Sequence, residues 1–299
     1  MNRQEIEDIK GLARERKAII LAHYYCRPEI QDAADFVGDS LGLSRTAAAS
    51  EAEVIVFCGV HFMAETASVL CPDKKVIAVN PEAGCPMADM ITAEALRARK
   101  RELPGVEVLT YVNSPAEVKA ESDCCCTSAN VAQVLKSMSS PKVLMTPDQN
   151  LAAFAQKQVP EKEVLFWEGY CPVHHRLRAS EVTALKEKHP GAPVAAHPEC
   201  RPEVLDMADF IGSTTAILKF CRENPAREII VLTEEGVGHQ LKDSGKIFYF
   251  PESMVCEDMK KNSLADLRRA LETLAPEVRV SQEIRSRALG PIEKMLAIG

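Results

Sequence analysis

Three stretches of this chain repeat one another at a nearly constant interval, and that periodicity limits the folds open to it more than any other property of the sequence. Val76 to Cys85, Val164 to Cys171 and Ile247 to Cys256 each read as a short apolar strand, then a Glu, then the Cys; the cysteines stand 86 and 85 residues apart (171 − 85 and 256 − 171). Two further strand sets keep the period. Ala18–His23, Val106–Tyr111 and Pro193–His197 each end in an aromatic residue or a histidine. Val54–Cys58, Lys142–Thr146 and Ile229–Thr233 are apolar runs bounded by turn residues, as expected of buried parallel strands. Helical patterns lie between them, over Asp89 to Arg101, Asn130 to Met138 and Ala216 to Arg222.

Strands alternating with helices specify small parallel sheets sandwiched by helices, and a unit of about 85 residues buries too little surface to be comfortable alone. The expected fold class is therefore α/β, built as three pseudo-threefold-related units at residues 1–85, 86–171 and 172–260. Functional groups gather at the carboxyl ends of parallel strands, where all three repeated cysteines fall, so the assembly brings them to one point at its centre. Past Cys256 the repeat stops. Ser263 to Asp266 resembles a capping box, and Leu264, Leu267, Leu271 and Leu274 share one helical face before Pro276. Residues 261–299 are expected to form a helical strap on one of the units.

A net charge of −7 and a pI near 5.6 argue against a nucleic-acid partner. No run approaches the roughly 18 apolar residues of a membrane span, and Met1 leads into no basic and apolar leader, so a cytoplasmic location is expected and no membrane partner. In such a reducing compartment the eleven cysteines are not a disulfide framework; metal binding, redox work or core packing are the readings to weigh.

Three thiolates in register make a metal site with one coordination position open. Cys171-x-x-His174 has the local spacing for zinc, but single cysteines from three distant units suit a wider iron–sulfur cluster better. A cluster with an open iron acts as a Lewis acid toward a carboxylate or hydroxyl and favours dehydration. Cys26, Cys58, Cys71, Cys200 and Cys221 match nothing across the repeats and read as core; the run Cys124–Cys126 has no evident purpose.

Asp39-Ser40, Thr127-Ser128 and Ser213-Thr214 recur once per unit before a helical stretch. A Ser or Thr cap with the free N–H groups of the first turn accepts a carboxylate or phosphate, and three pointing into one centre call for a polyanionic substrate. With no Gly-x-Gly-x-x-Gly and no P-loop lysine, that substrate is small. The acids and bases expected beside it are His23 and Tyr25, Tyr111 and Asn113, His197 and Glu199, with His174 as a further candidate.

The motifs Ala22–Tyr25, Ala34–Ser40, Val60–Glu65, Ala83–Asp89, Tyr111–Asn113, Cys126–Asn130, Cys171–His174, His197–Cys200, Gly212–Thr214 and Gly236–His239 together resemble the quinolinate synthase family over nearly the whole chain. The resemblance implies a transferase of NAD biosynthesis that condenses iminoaspartate with dihydroxyacetone phosphate, losing phosphate and two waters. It implies a [4Fe-4S] cluster on Cys85, Cys171 and Cys256, and substrate contacts from His23, Ser40, Tyr111, Asn113, Ser128, His174, His197, Glu199, Ser213 and Thr214. Tyr25 and Glu199, with His197 and Tyr111, are then the catalytic groups. L-aspartate oxidase or aspartate dehydrogenase is the implied functional partner. Longer relatives carry Cys-x-x-Cys-x-x-Cys at the third ligand, whereas Glu257, Asp258 and Met259 follow Cys256 here, so a redox disulfide at that point is not expected. Alternatives that fit the same residues are an iron–sulfur or zinc hydro-lyase on another small dicarboxylate and, less well, a cluster-bearing sensor or electron carrier, which would normally show four cysteines.

Overall fold

The computed structural model describes residues 3–298, and among them the strands form three four-stranded sheets in which every neighbouring pair is parallel. The first sheet holds β1 (Ala18–His23), β2 (Phe36–Gly38), β3 (Val54–Cys58) and β4 (Lys75–Ala78) in the order β2-β1-β3-β4. The second repeats that order with β5 (Glu107–Tyr111), β6 (Cys124–Cys126), β7 (Lys142–Thr146) and β8 (Glu163–Phe166), and the third with β9 (Val194–Ala196), β10 (Phe210–Ile211), β11 (Glu228–Leu232) and β12 (Ile247–Tyr249). The molecule is thus an α/β fold of three repeated units. Corresponding residues pair in each: Ala22 with Cys58, Thr110 with Thr146, Ala196 with Leu232. The inner strands are buried on both faces, which is why they read as continuous Val, Ile and Leu runs.

The short edge strands β2, β6 and β10 carry no such run and were not among the expected strands. What sets them is an aspartate. The carboxylates of Asp35, Asp123 and Asp209 accept the backbone N–H of Ile20, Val108 and Val194 at 2.7, 2.7 and 2.8 Å. The same three aspartates donate their own N–H to the same residues' carbonyls at 2.9, 3.0 and 2.9 Å. Each is a two-point clip that fixes register before the edge strand begins.

The clip also places Cys124–Cys126, since β6 stands where Phe36–Gly38 and Phe210–Gly212 stand in the other units. The helix Gln282–Ala297 packs along β6, with Asn130 Nδ2 donating to the Met295 carbonyl at 2.9 Å and Lys294 Nζ to that of Asp123 at 2.9 Å. Under it the three cysteines are buried, whereas Phe36 on the uncovered edge of the first sheet is 37% exposed. The run is a strip of small apolar side chains beneath a helix.

A second expectation needs correcting. Cys26 and Cys200 do match across units: their thiols donate to the carbonyls of Cys58 and Leu232, at 3.3 and 3.6 Å, and those carbonyls hold equivalent places in β3 and β11. Ser114 takes the place of both in the second unit, two residues beyond Val112 as Cys26 is beyond Tyr24. Cys58, Cys71 and Cys221 are buried, as a core reading requires.

Helix starts also differ in detail. Met87 to Glu102 is broken into a short 3-10 turn (Ala88–Met90) and a helix (Ala93–Glu102) capped by Thr92 Oγ1, which accepts the Ala95 N–H at 3.1 Å. In the tail, Ser263 caps Leu264–Thr273 through the Asp266 N–H at 3.1 Å, and this helix lies on the N-terminal helix Arg3–Glu15 and on β3. The tail therefore touches the first unit through one helix and chiefly the second through the other. One apolar core runs through the first sheet, one face of the second and the tail, the other face of the second sheet has its own small core, and the third sheet has a separate core on each face. No described helix is long and apolar enough to cross a membrane.

Candidate active site and metal centre

Because each parallel strand ends at the same side of its sheet, the loops after β1, β4, β5, β8, β9 and β12 meet where the three sheets converge, around one cavity. Cys85, Cys171 and Cys256 line it, one from each unit, and all three are free thiols. Burial pushes Cys85 up to about 12 and Cys256 to about 11, and raises Cys171 further. Unmetallated, all three are protonated; a soft metal would displace those protons on binding.

The residues expected at the first-strand ends arrive together. His23, Tyr25, Tyr111, Asn113, His197 and Glu199 line the cavity, as do Ser40, Ser128, His174 and Thr214. Ser213 does not. Its hydroxyl is spent on capping Thr214–Glu223, accepting the Ala216 N–H at 3.4 Å, and it faces an outer groove instead, leaving Thr214 as the inward residue. The pattern slips in the second unit as well: the helix there starts at Val131 behind Asn130, and Thr127 donates its N–H and hydroxyl to Asn130 Oδ1 at 2.8 and 3.1 Å. In the first unit Asp39 is the cap, accepting the Gly42 N–H at 3.0 Å and the Thr215 hydroxyl at 2.6 Å.

Glu199 sits at the electrostatic centre. Burial alone would push its carboxyl up, but the imidazoles of His197 and His174, at 3.3 and 2.8 Å, hold it well below the usual carboxylate range. Its Oε1 has no hydrogen-bond partner, and neither has Asn113 Oδ1; two buried acceptors left open in one cavity are what a bound group would satisfy. Burial lowers His174, and lowers His23 to about 4, so both are neutral imidazoles at pH 7. Tyr25 and Tyr111 are pushed well above their ordinary range by burial and by Glu199, which keeps them as phenol donors.

Several of these groups form one hydrogen-bond chain. Glu199 Oε2 is 2.8 Å from His174 Nδ1; His174 Nε2 is 3.1 Å from Thr233 Oγ1; Thr233 Oγ1 is 2.9 Å from Tyr25 Oη, which is 3.0 Å from Thr214 Oγ1. A second branch runs from His197 Nε2 to Ser128 Oγ at 3.2 Å, and the rings of His174 and His197 stack at 4.6 Å. No lysine or arginine lines the cavity among the described residues, so an anion there would be met by helix N–H groups, hydroxyls and imidazoles.

Four supporting residues were not singled out from the sequence. Thr233 joins the two ends of the chain just described. Asp148 Oδ1 caps Gln149–Gln158, accepting the N–H of Asn150 and Leu151 at 2.7 and 2.8 Å, while its Oδ2 accepts the N–H of Cys171 at 3.0 Å. Glu234 does the same in the third unit, with the N–H of Gly236 at 2.7 Å and of Cys256 at 3.2 Å. Lys260 Nζ completes it, 2.8 Å from Glu234 Oε1 and 3.0 Å from the Tyr25 carbonyl, which ties the third cysteine's loop to the first unit. Gly236 makes that approach possible, since a Cβ there would lie 2.8 Å from the Tyr24 carbonyl. The signal was available: Asp148 and Glu234 stand 86 residues apart (234 − 148), but Val60 in the first unit breaks the pattern.

The family model for NadA, quinolinate synthetase A protein, matches residues 7–297. The chain belongs to the quinolinate synthase family. It is 53% identical to the quinolinate synthase of Desulforudis audaxviator over 297 residues, covering 98% of both chains. Identity to the quinolinate synthase of Geobacter sp. strain M21 is 49%, covering 97% of this chain and 96% of the relative, and to that of Aquifex aeolicus 46%, covering 98% and 93%. All of the motifs that carried the resemblance in sequence except Gly236–His239 contribute residues to the cavity, and the chain is an enzyme of this family.

Proposed function

We propose that this chain makes quinolinate by condensing iminoaspartate with dihydroxyacetone phosphate, with loss of phosphate and two waters, on a [4Fe-4S] cluster held by Cys85, Cys171 and Cys256. The observation that carries this reading is the convergence of one free thiol from each unit on a cavity that also holds an ionised carboxylate and neutral imidazoles. The donor set fits the group: three thiols suit a cluster with one iron unligated by protein, and the open Glu199 Oε1 and Asn113 Oδ1 await a partner. When bound, the cluster supplies Lewis acidity at that open iron.

The chain's own residues bind and move protons. Ser40, Ser128 and Thr214 offer hydroxyls, two of them at the first residues of the helices Ser40–Ala49 and Thr214–Glu223, where a phosphate or carboxylate gains from the helix N-terminus. Glu199 takes a proton at Oε2, and Tyr25 gives one at Oη; the hydrogen bonds through His174 and Thr233 let the two exchange a proton without solvent. Tyr111 and His197 border Glu199 and orient the substrate beside it. We place the enzyme in the cytoplasm, where the thiols stay reduced, with L-aspartate oxidase or aspartate dehydrogenase supplying iminoaspartate.

Anaerobic purification, iron and sulfide analysis, and assay with both substrates test this. About four irons per chain and quinolinate formation are expected, with Cys85→Ser losing iron and activity together. An intact cluster without quinolinate would overturn the assignment, as would turnover by the cluster-free variant. Turnover of another small dicarboxylate instead would favour the hydro-lyase reading.

A further inference from the structure

We infer that the cluster-free chain carries a second, mutually exclusive metal site for a divalent ion of the zinc type, built from Cys171, His174 and Glu199. The site itself rests only on geometry; the exclusion rests on the cluster reading above, because Cys171 belongs to both. The three side chains offer a thiol, an imidazole and a carboxylate whose ligand atoms all lie within 4.8 Å of one another. His174 Nδ1 is 3.2 Å from Cys171 Sγ and 2.8 Å from Glu199 Oε2. Donors sharing a tetrahedral zinc are about 3.3–3.5 Å apart, so these hydrogen-bonded atoms need to open by only about half an ångström to admit the ion.

The surroundings are arranged as a zinc ligand requires. His174 is fully buried, and its other ring nitrogen lies 3.1 Å from Thr233 Oγ1, so with Nδ1 on the metal Nε2–H donates to that hydroxyl and the tautomer is fixed. Cys171 is held by its N–H on Asp148 Oδ2 at 3.0 Å. Glu199 has one oxygen, Oε1, without a hydrogen-bond partner. The ion displaces the Cys171 thiol proton, while neutral His174 only changes tautomer, its single ring proton passing from Nδ1 to Nε2. All three ligands line the cavity, which leaves the fourth position to water. Neither Cys85 nor Cys256 takes part, and that separates this site from a metal captured by the three cysteines.

The consequence is an inhibited form: a chain that meets zinc before its cluster has Cys171 and Glu199 both occupied. Full-length protein, stripped of iron and kept reduced, is titrated with Co2+ and then with Zn2+. One equivalent of Co2+ with a thiolate-to-cobalt charge-transfer band is expected, displaced by Zn2+. Cys85→Ser and Cys256→Ser should give the same band and stoichiometry, while Cys171→Ser should abolish the band and His174→Ala should weaken Co2+ binding at least tenfold. Circular dichroism of the His174→Ala chain, and its ability to take up a cluster, check that it is folded. A cobalt band that needs Cys85 or Cys256, or that survives in Cys171→Ser, or affinity unchanged in His174→Ala, would overturn the site. Zinc-loaded wild type should fail to take up a cluster until a chelator is added; uptake despite bound zinc would overturn the exclusion alone. If instead wild type binds cobalt as described but never assembles a cluster in any condition, the zinc site stands and the cluster reading fails.

Discussion

His23 is held as a neutral imidazole because its surroundings exclude water, and that has a measurable effect on acid stability. Burial lowers it from 6.5 to about 4. Above pH 6.5 neither the folded nor the unfolded chain protonates it; as pH falls from 6.5 toward 4 the unfolded chain takes up a proton that the folded chain refuses, so stability is lost across that window and levels off below it. Between pH 7 and 4.5 wild type should therefore lose about 2–3 kcal/mol more than His23→Gln, by urea unfolding at each pH. Equal losses would mean that His23 is solvated. At this scale much of the site was legible, since a His or Tyr at a strand end stands out when it recurs in every unit. Thr233 and Lys260 were not legible: each acts through one contact with a distant unit, Tyr25 in both cases, and no local spacing encodes such a contact.

Among the elements, the loops that present Cys171 and Cys256 are fixed by the carboxylates of Asp148 and Glu234, which bind a helix start and a cysteine N–H at once. Asp148→Ala removes a cap and strands buried N–H groups, and should cost about 2–4 kcal/mol. Its unfolding free energy from urea titration should fall by that amount, with a lower midpoint, and bound iron should leave faster to a chelator, whereas Asp148→Asn should be milder; wild-type behaviour of the alanine variant would show that the loop is held by other contacts. The inner strands were readable as apolar runs and the edge strands were not, because β2, β6 and β10 are short and owe their pairing to a single aspartate each. The tail's last helix left no clear periodic signal, with Gly290 and Pro291 in its middle. Its partner Leu264–Thr273 did, since it is amphipathic and begins with a side-chain cap.

For the whole molecule, the sequence pointed to three units and a common centre, and the sheets have that order and meeting point. It did not reveal that the tail would serve two units, because which surface an apolar face covers depends on the assembled shape. Truncation after Val280 tests the tail's part: with Gln282–Ala297 gone, Cys124, Cys125 and Cys126 lose their cover, and the count of thiols reactive under native conditions should rise by up to three. No rise would show that β6 is shielded by other elements.

The distribution of the cavity wall over all three sheets also fixes when it can exist. Cys85 and Cys171 leave the ribosome well before Cys256, so a growing chain passes through a stage with two of the three thiols and no enclosed pocket. The helix Gln282–Ala297 that shields Cys124–Cys126 lies beyond Cys256 in the chain, so their cover is synthesised after all three cavity thiols. Assembly of the cavity is thus a matter of timing: its three thiols cannot face one another until Cys256 has been made.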